Sequence, residues 1–189
     1  MTLQHDDITR EEIHHRRIDM HGCRRSDGLF EATAFLTDRK THDFQPPAAR
    51  HVSASEPIHD IRLTIVFDSD MIVRDVSASL YAHPYEQCLG GGDALSALLG
   101  LRIGAGWNSE VRKRLPSSDI CTHIKELLGP LATTALQTIY GLRKSRLDQR
   151  DGEGKPIKLD SCHAFSSERE LVRRLWPEYH RPLSSEDRT

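Results

Sequence analysis

Apolar and polar residues alternate in the first half of the chain and recur at three- and four-residue spacing in the second. After a turn at Ser26, Asp27 and Gly28, the run Leu29 to Thr37 has the composition and alternation of a β-strand, and Asp38 with its basic neighbours ends it. In IHDIRLTIVFD, Ile61, Leu63, Ile65 and Phe67 fall on one face at period two. Asp68, Ser69 and Asp70 separate this run from MIVRDVSASLYA, which predicts an antiparallel hairpin from Ile58 to Ala82.

Beyond Pro84 the period changes. Asp93 is placed to cap a helix running through Leu99, with Gly100 as its stop. A short helix follows Gly106 with Trp107 and Val111 turned inward, and Pro116 to Asp119 start a longer one whose apolar face holds Ile124, Leu127, Leu128 and Leu131. Gly129 and Pro130 should break or kink it, because proline has no backbone donor and clashes with the preceding turn. Helix should then continue to about Lys144, and Leu171, Val172, Leu175 and Trp176 predict one more short helix after a charged, glycine-bearing loop.

Strands first and helices after imply an α+β fold, an antiparallel sheet from the N-terminal half with helices from the C-terminal half packed on one face. Residues 1–23 read as a polar arm, 24–180 as a single domain and 181–189 as a polar tail. Residues 41–57, rich in Pro, Ser and Ala, read as a surface loop.

Composition narrows the function classes. With 26 basic and 28 acidic side chains the formal charge is -2, so no net field draws the chain to nucleic acid or an anionic membrane. The charged N-terminus lacks the apolar run of a secretory signal, and no apolar stretch approaches the ~20 residues that span a bilayer. A cytoplasmic, bacterial-type protein is expected. The four cysteines should then be reduced thiols, available for packing, metal binding or reaction. The GGG at 90–92 lacks the lysine and hydroxyl of a phosphate-binding loop.

The candidate chemistry gathers in HPYEQC, ending at Cys88, in CTH at 121–123, and in SCHA at 161–164, with His59 in IHD as a further candidate. Thiolate and imidazole are natural ligands of zinc and iron, and closed zinc sites take four such groups. His59, Cys88, Cys121 and His123 form the expected metal set, with Cys162 or His163 as substitutes, and Asp60 is placed to orient His59. Cys88, just before a helix, and Cys121, in the first turn of another, should both ionise readily, which suits a ligand and a nucleophile equally. Two residues on a helix lie about 200° apart, so Cys121 and His123 converge only if Cys121 belongs to the loop and His123 to the first turn. His83 should shape a loop, and His14 and His15 should be solvated in the arm.

The chain resembles a bacterial family known as a domain of unknown function, on RRSDG at 24–28, LTD at 36–38, IHD at 58–60, PYEQC at 84–88, CTH at 121–123 and LDSCHA at 159–164. That resemblance implies no activity. Residues 58–143 also look like the iron-sulfur cluster scaffold fold, in which three cysteines and an aspartate hold zinc or a cluster. By position Cys88 and Cys121 would match its second and third cysteines, whereas Ile58, His59 and Asp60 replace the cysteine, glycine and aspartate of the first site.

Three function classes are open. The first is a zinc- or iron-binding protein, an enzyme if a coordination position stays open and a structural or carrier protein if it is filled. The second is a thiol enzyme in which Cys88 or Cys121 attacks a small molecule with His123 or His59 as base. The third is a small-molecule-binding module without catalysis, its pocket lined by Tyr81, Tyr85 and Trp107.

Overall fold

The computed structural model describes residues 8–140, 142 and 149–182. Four strands, β1 (His14–Arg24), β2 (Phe30–Lys40), β3 (Pro57–Phe67) and β4 (Val73–Ala82), form a sheet in the order β1-β2-β3-β4, each antiparallel to its neighbour. Gly28 closes the first turn at a φ of 86°, a conformation open to residues without a Cβ. Asp68 holds the β3–β4 turn by accepting the backbone N–H groups of Asp70 and Ile72.

The register sets the core. Ile18, Leu36, Ile61 and Leu80 form one row across the four strands, and Met20, Ala34, Leu63 and Ala78 form the next. Because alternate side chains share a face, this register puts Leu36, Ala34, Ile61 and Leu63 on the covered side, where all are fully buried. The predicted hairpin is present, with Ile61, Leu63, Ile65 and Phe67 in the core.

Helices α1 (Trp107–Arg114) and α2 (Thr122–Tyr140) contribute to the same core through Trp107, Val111, Ile124, Leu127, Leu128 and Leu131. Arg16 bonds Glu126, Met20 meets Thr134, and Gly22 abuts Thr138. Six strand steps span about 20 Å and twelve helical steps about 18 Å. β1 and α2 therefore run side by side in the same direction. Gly22 permits the contact, since a Cβ there would lie 1.7 Å from Thr138 Oγ1. Gly22→Val is expected to destabilise the fold by about 1–3 kcal/mol through overpacking, and Thr138→Ala to restore part of the loss, as read from urea midpoints.

Several expectations are corrected. The polar arm ends before His14, because β1 is a full strand whose inner face carries Arg16, Ile18, Met20 and Gly22 and whose backbone pairs with β2 along its length. Helix α2 runs through Pro130 without a break, since that ring lies on the exposed side where water can take the carbonyl it leaves unpaired. The segment expected to begin at Asp93 is a 3-10 run, Glu86–Leu98, so Cys88 sits within it rather than before it. The chain divides into two compact units, Met1–Ile139 and Tyr140–Thr189. In the second unit the helix α3 (Glu170–Leu175) buries Val172, which clusters with Leu159 and Trp176. The predicted helix toward Lys144 and the tail beyond residue 182 lie outside the described residues.

Candidate functional site

At one end of the covered face the apolar rows give way to a polar one. Arg16, Asp38 and His59 are directly paired across β1, β2 and β3. Asp38 is 2% exposed, and burying a lone carboxylate is costly. Arg16 answers that cost with a two-pronged ion pair, Nε to Oδ1 at 2.8 Å and Nη2 to Oδ2 at 3.0 Å. His59 Nδ1 lies 3.0 Å from Oδ2, and His14 Nε2 lies 3.3 Å from Oδ1. Burial works to raise the Asp38 pKa, but the hydrogen bonds and charge of Arg16, aided by His59, hold it below the usual carboxylate value.

Cys121 immediately precedes α2 and caps it. Its carbonyl accepts the Lys125 N–H at 3.0 Å, and its thiol sits beside the N–H groups of His123 and Ile124 at the helix start, which favour the thiolate. His123 is in the first helical turn, and its Nδ1 is 3.7 Å from Cys121 Sγ. The loop-and-first-turn geometry required for these two residues to meet is therefore realised. Burial pushes the thiol upward, but the hydrogen bond and charge of His123 and the two N–H groups outweigh it and lower the pKa. The partner moves the other way, since the hydrogen bond to Cys121 raises His123 against the effect of burial.

The two imidazoles lie against each other in a tilted arrangement, with ring centroids 3.8 Å apart at 38°. Burial and the neighbouring His123 lower the His59 pKa despite the pull of Asp38. With Nδ1 turned to the carboxylate, the neutral ring donates there and leaves Nε2 as a free acceptor. Nε2 has no hydrogen-bond partner among the described residues. His123 Nε2 is 4.0 Å from Asp38 Oδ2, too far to compete for that carboxylate by hydrogen bonding.

A cavity of about 670 Å³ covers this group, and all four predicted site residues, His59, Cys88, Cys121 and His123, line it together with Tyr85 and Gly91. Cys23 lies on the opposite face of β1 from Arg16 and seven residues along it, about 23 Å away. Cys162 and His163 fall in the second unit, both exposed. The orienting partner of His59 is Asp38, because Asp60 follows it on the strand and points to the other face. His83 shapes a loop as expected, its Nδ1 2.9 Å from the Tyr85 carbonyl. Trp107 is core and not pocket wall, 4% exposed with Nε1 donating to the Leu128 carbonyl.

Arg16, Asp38 and His14 escaped the sequence reading. Period-two parity was the signal for Asp38, since Ala32, Ala34, Leu36 and Asp38 share one strand face and the last is charged. Arg16 carried a weaker one, the interrupted alternation with Ile18 and Met20.

The fold and site together define a meander sheet backed by helices, with a capped thiol and two carboxylate-linked histidines at one end. The chain belongs to the family described as a protein of unknown function, DUF2889, whose model matches residues 14–137 and so takes in every residue of the site. No curated protein and no solved structure matches, which leaves the likeness to iron-sulfur scaffolds without support. Asp38, His59 and His123 each offer one ligand atom, all within 4.8 Å of one another, an arrangement that could hold a metal ion. No described helix is long and apolar enough to cross a membrane.

Proposed function

We propose that the protein is a thiol-dependent enzyme in which Cys121 forms a covalent adduct with a small electrophilic molecule. One observation carries this reading. Cys121 Sγ lies 3.7 Å from His123 Nδ1, the His123 ring lies against that of His59, and Asp38 holds His59 Nδ1, so that the thiol favours the charged form of His123 while burial favours neutral His59. His123 takes the Cys121 proton, the thiolate adds to a carbonyl-type carbon, and the leaving group departs with the proton that His123 holds. His59, oriented by Asp38, then removes a proton from water or another acceptor, which attacks the adduct and frees the sulfur. The cavity of about 670 Å³ suits a small molecule, and four free thiols accord with the cytoplasm.

A p-nitrophenyl acetate burst assay tests the division of labour. The wild type should release one equivalent of nitrophenol rapidly and then turn over slowly. Cys121→Ser should show no burst, and His59→Asn should keep the burst while losing the slow phase. Absence of a burst from the wild type at any pH between 6 and 9 would remove this reading.

The second reading is a zinc or iron site, favoured by the clustering of Asp38, His59 and His123, with Cys121 and Cys88 on the same cavity wall. It ranks lower because both Asp38 oxygens already accept hydrogen bonds from the Arg16 guanidinium, whose positive charge opposes a cation there. Elemental analysis of protein purified without a histidine tag decides it. Stoichiometric metal that Cys121→Ser loses and Cys162→Ser retains would overturn the thiol-enzyme reading in favour of this one.

A further inference from the structure

The second thiol on the cavity wall has no part in the chemistry proposed above. Cys88 and Gly91 are three residues apart in the 3-10 run Glu86–Leu98, and in a 3-10 helix residues i and i+3 eclipse one another with a rise of about 6 Å. Burial along the run agrees, since Cys88, Gly91 and Ala94 are half-buried while Gln87, Leu89 and Asp93 are exposed. Gly91 is pressed onto Cys121. Its carbonyl accepts the Cys121 N–H at 2.9 Å, and a Cβ built on it would lie 2.6 Å from the Cys121 Cβ. The side chain of Cys88 therefore stands one short turn above the point where the run touches Cys121, and both residues line the same cavity.

We propose that Cys88 and Cys121 are a dithiol pair that a hydroperoxide converts to an intramolecular disulfide. The Cys121 thiolate attacks the terminal peroxide oxygen, the O–O bond breaks, and the alkoxide leaves with a proton from His123. Sulfur is thereby oxidised by two electrons to a sulfenic acid. Cys88 then attacks Cys121 Sγ, the S–O bond breaks, and the hydroxide leaves as water with the Cys88 proton. One hydroperoxide and two thiols become one alcohol, one water and one disulfide. Gly91, which has no side chain of its own, leaves the run free to approach Cys121 closely, and closure requires the two Cβ atoms to come to about 4 Å. Two equivalents of an external thiol reduce the disulfide back to the two cysteines and are themselves joined as a disulfide, so the pair protects Cys121 from irreversible oxidation while blocking its use as a nucleophile.

The proposal rests on the reading of Cys121 as a reactive thiolate, and the experiment separates the two. The reduced full-length chain is treated with hydrogen peroxide in the presence of a chelator, the remaining thiols are capped with N-ethylmaleimide, and peptides are mapped without reduction. Two of the four thiols should disappear, joined as Cys88 to Cys121 within one chain. In Cys88→Ser, dimedone should instead trap a sulfenic acid on Cys121 that the wild type does not accumulate. A Cys121 that alkylates rapidly with iodoacetamide yet passes to sulfinic acid in the wild type with Cys88 still free would overturn the pair alone. A Cys121 inert to both peroxide and iodoacetamide would overturn the pair and the thiol-enzyme reading together. If Cys88→Ser does not fold, the wild-type peptide map decides the matter by itself.

Discussion

Replacing Asp38 by alanine is expected to cost about 3 kcal/mol of stability, near the lower end of the range for removing one partner of a buried ion pair. The carboxylate is almost wholly buried, at 2% exposure, and Arg16, His59 and His14 all point at it. Without it the Arg16 Nε and Nη2 donors lose their acceptor. The cost is held down because the Arg16 side chain is 33% exposed and keeps its bond to Glu126. A loss of that size corresponds to a fall of roughly 10 °C in melting temperature for a unit of this length. The double replacement Arg16→Met with Asp38→Leu should recover most of the loss, since well-packed apolar pairs replace buried ion pairs with little penalty. Thermal melts of the three proteins check this, and a double variant no more stable than Asp38→Ala would show that the carboxylate holds the fold through groups other than Arg16.

The same residue governs behaviour in acid. The pKa of Asp38 is lower in the folded chain than in the unfolded one. Its contribution to stability is therefore complete above the ordinary aspartate value of about 4 and is lost as pH falls through the depressed folded value. Asp38→Ala should show a shallower loss of stability than the wild type as pH drops below about 4.

Most of the fold was legible because its elements announce themselves locally. Ile61 to Phe67 alternate strictly, and Ile124 to Leu131 keep a helical face, so neither needed tertiary information. β1 did not. Its inner residues, Arg16, Ile18, Met20 and Gly22, include one charge and one glycine, and they become core-facing only because Asp38 and α2 lie opposite. The site divides in the same way. His59, Cys88, Cys121 and His123 could be picked out by residue type and by their place at element ends, and one cavity collects them. Asp38 and Arg16 carry only the weaker signal of parity with the apolar residues of their strands, and an acid at a strand end and an arginine in a polar segment gain their role only when register aligns them. Register is a property of pairing, and here it converts three unremarkable positions on three strands into a continuous Arg16–Asp38–His59 row.

The largest kinetic effect should come from His123. Iodoacetamide reports thiolate directly, and an ordinary thiol with a pKa near 8.5 is only a few per cent ionised at pH 7, so activation can raise the rate there by at most about thirtyfold. Three donors lower the Cys121 pKa, the His123 ring and the N–H groups of residues 124 and 123, with the ring outranking either N–H group. The wild-type alkylation rate should therefore reach its plateau at lower pH than that of an unperturbed thiol. His123→Asn should lose most of the pH 7 advantage, on the order of tenfold, but not all of it, because the helix-start N–H groups remain. His59→Asn should leave the profile close to wild type, since the largest influences on Cys121 are burial, His123 and the neighbouring N–H groups, although it should abolish the slow phase of ester turnover. Stopped-flow or quenched alkylation between pH 5 and 10, with Cys121 occupancy read by peptide mass, separates the two histidines. Equal displacement of the profile by both substitutions would mean that the two adjoining rings act as one unit, and the assignment of His123 to the thiol and His59 to the second proton transfer would fail.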